Sequence, residues 1–87
     1  MADIEIEIVG AEGKLWSGGA RQVSAKAGDG EIGILAGHEP ILAVLAAGEV
    51  RVTTVDGTVL TANAEDGFLS VQNDTVTIVA GAATLVS

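Results

Sequence analysis

The chain has no cysteine and no tyrosine, and it carries one proline, one tryptophan, one phenylalanine and one histidine in 87 residues. Without cysteine there is no disulfide framework, no thiolate nucleophile and no cysteine-based zinc site. With aromatic rings only at Trp16 and Phe68, valine, isoleucine, leucine and alanine must pack the interior, and the β-branched members of that set favour sheet. Basic residues are also scarce: 4 Lys and Arg against 12 Asp and Glu give a formal net charge of −8 and a pI of about 4.2. Phosphate binding needs clustered cations, so nucleic acid is disfavoured as a partner, and so is direct insertion into anionic lipid. A basic protein surface is the natural partner of so acidic a chain. The opening "MADIEIEIVG" lacks the basic region and long apolar run of a signal peptide, and no apolar run reaches transmembrane length.

What is present suits a packed β domain. Hydrophobic residues make up 48% of the chain and the mean hydropathy is +0.49, enough for one domain over residues 1–87. Ile4, Ile6 and Ile8 alternate with Asp3, Glu5 and Glu7, a period of two that predicts a strand with one buried face. The acidic side of that strand reads as a solvated face guarding a sheet edge. "KLWSGGARQVSAKA" has Gly18-Gly19 at its middle and reads as two short strands with a turn or bulge between them. "GEIGIL" is a short strand in which Gly33 suggests close packing or a bend. Between Pro40 and Gly48, "ILAVLAA" is too short for a comfortable helix, and a strand or a single turn fits as well. "EVRVTTV" and "TVLTAN" flank Asp56-Gly57, which predicts a hairpin with a type I′ turn; Asn73-Asp74 marks a second hairpin. Turn signals recurring about every eight to twelve residues predict an all-β sandwich or barrel.

Gly28-Asp29-Gly30-Glu31-Ile32-Gly33 spells the dinucleotide fingerprint, which needs a helix opening at its third glycine to hold a pyrophosphate. Here Ile34-Leu35-Ala36-Gly37 and then Pro40 follow, and Asp29 and Glu31 repel phosphate, so the glycines read as turn residues. His38, with Asp29, Glu31 or Glu39, could form a metal or acid–base site, but a lone loop histidine reads first as a contact or solvated residue. Ser17, Ser24 and Ser70 have no histidine–acid pair near them in sequence. Trp16 reads as a packing residue ahead of an interface anchor. This leaves the acidic glycine loop "AGDGEIGILAGHEP" as the surface most suited to a partner, on a rigid sheet scaffold.

That loop carries a resemblance. "GDGEIGILAGHEPILAVLAAGEVRV", residues 28–52, is similar to the epsilon subunit family of the F-type ATP synthase. "LWSG" at 15–18, "DGFLSV" at 66–71 and "NDTVTIVA" at 73–80 match in the same order. The resemblance implies a flattened β-sandwich of about ten short strands. It implies a non-catalytic rotor subunit in the central stalk, without a cofactor, that couples proton transport to ATP synthesis. Its partners would be the gamma subunit and the c-ring, at the cytoplasmic face of the bacterial membrane; isolated, it would be a monomer. By position, Glu31, Gly37, His38 and Glu39 are the implied partner contacts. An acidic side chain on a tight glycine loop can meet a basic loop with little ordering cost. Ala36 stands where the family usually has proline, which predicts a looser turn, and Gly81 stands where an aspartate is common. Family members usually continue past the position of Ser87 into a helical hairpin, whose inhibitory and ATP-binding roles are not carried over. The alternative reading is a free-standing small β module that binds a peptide or other ligand.

Overall fold

The computed structural model describes residues 3–27, 30–37 and 39–85. These residues form six strands, β1 (Ile4–Gly10), β2 (Gly13–Ala27), β3 (Gly30–Leu35), β4 (Ile41–Thr54), β5 (Val59–Gln72) and β6 (Thr75–Leu85), and no helix. The strand order is β1-β6-β5-β4-β2-β3, and β1 also pairs with β2. Strands β1, β6, β5, β4 and β2 therefore close a ring, and β3 hangs from β2. The β1–β6 pairing is parallel and the others are antiparallel. The molecule measures 33 × 25 × 20 Å, so the ring is flattened into facing layers.

The all-β expectation holds, but the strands number six rather than about ten. Four of them, β2, β4, β5 and β6, are 11 to 15 residues long and run on through positions where shorter strands were expected to end. β2 continues through Gly18-Gly19 without a turn. Its first part pairs with β1 and its last part with β3 and β4, and the register shifts between Ala20 and Gln22. "ILAVLAA" is the first half of β4.

The close approach expected at Gly33 lies elsewhere. A Cβ at Gly33 would meet nothing within 4 Å, whereas one at Gly67 would lie 1.9 Å from the Val79 carbonyl oxygen and 2.6 Å from the Ala80 Cα. Gly67 pairs with Ala80, and the preceding Asp66 has a left-handed φ of 56°. Here the backbones of β5 and β6 are pressed together. Only a residue without a side chain fits there.

Inside the ring the core is aliphatic. Ile4, Ile6 and Ile8 are buried as their alternation requires, together with Val23, Ile34, Val52, Leu69, Val71, Val76 and Ile78, and among the described residues no polar or charged side chain is buried. Each such side chain contributes roughly 1.5–3 kcal/mol relative to leaving it in water. Trp16 is half-buried against this core, its indole lying over Gly18, as the packing reading expected. Strand β1 is flanked on both sides, so its acidic stripe guards no edge. Glu7 instead pairs with Lys14 at 3.1 Å on the exposed surface.

The two turn signals exchange roles. At Asn73-Asp74 both residues have positive φ, 51° and 58°, which is the type I′ pattern. At Asp56-Gly57 only Gly57 is positive, at 92°. Thr54 N–H donates to Thr58 O at 2.8 Å and Gly57 N–H to Thr54 O at 3.0 Å. This is a three-residue loop, a type I turn closed by a left-handed glycine. The Asp56 carboxylate accepts from the Thr54 hydroxyl and, at 3.0 Å, from the Thr58 N–H, and these bonds lower its pKa from 3.8 to about 2.

Gly67→Ala is expected to destabilise the protein by about 3 kcal/mol or more, read as a lower urea midpoint, because the new methyl group meets backbone that cannot move aside. Asp56 adds a pH dependence. Its depressed pKa makes it stabilising above about pH 4, and that contribution is lost as pH falls towards about 2. The drop in denaturation midpoint across this window is expected to be smaller in Asp56→Ala than in the parent.

Candidate partner-binding surface

Residues 28 and 29 join β2 to β3, and Ala27 pairs with Gly30 across them. The described part of the stretch that spells a nucleotide fingerprint, residues 30–33, thus lies in a strand. With β3 following Gly30 directly, no helix opens there to receive a phosphate. Gly28 and Asp29 themselves lie outside the described residues, as does His38, so the metal or acid–base reading of His38 does too.

Glu31 is exposed on β3 and stands opposite Lys26 of β2. It lines a shallow depression of about 200 Å³ with Ser24, Lys26, Gly48, Glu49 and Arg51. Arg51 pairs with Glu49 at 3.2 Å, and the Lys26 stem lies over Gly48, where a Cβ would come within 3.1 Å of it. The surroundings of Glu31 are therefore of mixed charge rather than purely acidic: two of the chain's 4 basic side chains sit beside it.

Gly37 and Glu39 lie beyond the other end of β3. Gly37, with φ 84°, follows Ala36 in the turn after Leu35, and its N–H donates to the Asp74 carboxylate at 2.7 Å. Glu39 is exposed and precedes Pro40 and β4. From Glu31 to Leu35 the extended chain covers about 13 Å. The fold thus sets Glu31 apart from Gly37 and Glu39 rather than gathering them into one cluster.

The sequence reading missed an apolar strip on the outer surface. Leu42 and Val44 of β4 are 73% and 77% exposed, and Phe68 of β5 is 42% exposed. Val44 pairs with Phe68, Phe68 with Val79, and Val79 with Val9, so one line of apolar side chains crosses β4, β5, β6 and β1. Val9 and Val79 are half-buried. The signal was available in "ILAVLAA", a run with no polar residue to mark a solvent side. In an antiparallel strand such a run means that both faces are to be covered. Contiguous exposed apolar side chains mark interaction sites, as scattered ones do not.

A second depression of about 330 Å³ lies between the β1–β2 turn and the end of β6, lined mostly by glycine and alanine, with Glu12 its one titratable group. Ser17 and Ser24 sit on β2 and Ser70 on β5. Among the described residues no three histidine or acidic side chains converge as metal ligands would.

These features define a class: a small β-sandwich module with an exposed apolar strip and a charged patch on its outer surface. Residues 3–86 match the β-sandwich domain of the ATP synthase delta/epsilon chain, and the chain belongs to that family. The ATP synthase epsilon chain of Micrococcus luteus is 54% identical over 85 residues, covering 98% of this chain and 93% of that protein. The epsilon chain of Rhodococcus jostii is 50% identical, covering 98% of this chain and 70% of its own length. Among solved structures, a chain of the Euglena gracilis mitochondrial ATP synthase, determined with its F1 and c-ring parts, superposes with a TM-score of 0.90 at 25% identity. The match spans 98% of this chain and about half, 54%, of the Euglena chain. A chain of the Tetrahymena thermophila central stalk and c-ring shares the fold with a TM-score of 0.76 at 15% identity.

Proposed function

We propose that this chain is a non-catalytic rotor subunit of a proton-translocating F-type ATP synthase. It binds the gamma subunit and rests on the c-ring at the cytoplasmic face of the bacterial membrane, as a peripheral part of the complex, and so couples proton transport to ATP synthesis. The observation that carries this reading is the strip formed by Leu42, Val44 and Phe68, apolar and exposed on a protein whose core is complete without it. A solvated sheet face gains nothing from such side chains; a face covered by a partner does. Gamma is assigned to the strip. The c-ring is assigned to the charged ends of β3, where Glu31 faces a basic loop of the ring and Gly37, His38 and Glu39 complete the contact.

The fold suits such a role. Transmitting torque requires stiffness, and five strands closed on one another around an aliphatic core deform little. Family membership and the likeness to epsilon chains from Micrococcus and Rhodococcus support the same reading.

Leu42→Ser combined with Val44→Ser is expected to weaken binding to gamma of the same source by roughly tenfold to a hundredfold, since buried apolar anchors each contribute about 1 kcal/mol or more. Native mass spectrometry of the 1:1 complex reads this directly, and unchanged binding would remove the strip from the interface. Glu31→Lys is expected to leave the isolated domain folded, because Glu31 is exposed, while lowering ATP synthesis per proton translocated in membrane vesicles. Coupling equal to that of the parent takes Glu31 out of the ring contact.

A further inference from the structure

The turn between β3 and β4 is fastened to the neighbouring β5–β6 turn by one side chain. Gly37 N–H donates to Asp74 Oδ1 at 2.7 Å across a sequence separation of 37. Asp74 is the second residue of the tight β5–β6 turn, and its own carbonyl accepts the Glu5 N–H of β1 at 2.9 Å. One residue therefore ties together β1, the β5–β6 turn and the β3–β4 turn. The bond to Gly37 is charge-assisted, and its length is that of a strong one. It restrains a glycine whose φ of 84° lies in left-handed backbone that glycine enters without steric cost. The looseness expected at Ala36, where a proline would have stiffened the chain, is offset from outside the turn.

We propose that Asp74 is a positioning residue: by holding the Gly37 amide it fixes the shape in which the turn at Ala36 and Gly37 meets its rotor partner. This rests on the reading of that turn as a rotor contact. The carboxylate faces the turn, and a residue at this place must also accept a φ of 58°. That double demand allows a clean separation of roles. Asp74→Asn and Asp74→Gly both remove the charge and both tolerate left-handed backbone. Asparagine keeps an oxygen acceptor; glycine does not.

Hydrogen exchange of the Gly37 amide, followed by NMR in the isolated chain, is measured with affinity for the purified c-ring–gamma assembly. In Asp74→Gly the Gly37 amide is expected to exchange about tenfold faster and binding to weaken about tenfold, as the loss of one charge-assisted bond implies. Asp74→Asn is expected to restore most of both. Equal affinity of the parent and Asp74→Gly overturns the positioning role. Unchanged Gly37 exchange in Asp74→Gly overturns the bond itself. An equal rise in exchange at the core amide of Ile78 assigns the effect to general destabilisation and overturns the proposal as well. Absence of binding by the parent chain overturns the rotor reading and the positioning role with it; the exchange measurement still reports separately on the bond.

Discussion

At Gly67 the backbones of β5 and β6 lie so close that one methyl group would reach within 1.9 Å of the Val79 carbonyl oxygen. The rest of the architecture depends on that contact. β5 and β6 keep one register on both sides of it, Glu65 opposite Ala82 and Gly67 opposite Ala80, with Asp66 in left-handed backbone between. Just before that point, through residues 75–79, β6 lies alongside β1, and this parallel pairing shuts the ring. A bulkier residue would separate β5 and β6 at that contact, and closure would suffer with the local bond.

Closure then sets what the surface is free to do. With β1, β2, β4, β5 and β6 paired to neighbours and every described polar side chain outside the core, the interior needs nothing from solvent or from a partner. The outer faces can diverge in character. One carries Leu42, Val44 and Phe68 in a line; another carries Lys26, Glu31, Glu49 and Arg51 around a shallow depression. The two differ in what they ask of a partner. The first gains by losing water, and the second gains by matching charge.

Much of this was legible in the sequence, though unevenly. The alternation of Ile4, Ile6 and Ile8 names its buried face without ambiguity, because a strand has a period of two and one side must be dry. Asn73-Asp74 marked its hairpin. Asp56-Gly57 marked one too, but the Asp56 carboxylate accepts from its own neighbours, Thr54 and Thr58, and the loop has three residues instead of the expected two. Gly18-Gly19 looked like a break, yet β2 has partners along its whole length that keep it extended. Gly33 looked like the close contact and is open; nothing in "EDGFLS" distinguished Gly67 from the other glycines. The likeness to the epsilon family came from spaced matches rather than from any single motif, and the last four residues of the fingerprint-like hexapeptide inside them lie in strand β3.

The sequence by itself determined the class of fold, the faces of the strands and the composition of the core. Those follow from local periodicity and from the cost of burying polar groups, which each segment carries wherever it is placed. Only the tertiary structure decided which strands are neighbours beyond the two hairpins, where two backbones touch, that Val44, Phe68, Val79 and Val9 form one strip, and that Asp74 reaches Gly37. Those are relations between residues far apart in the chain. They arise when the ring closes, because closure, not local propensity, selects the register that puts one side chain beside another.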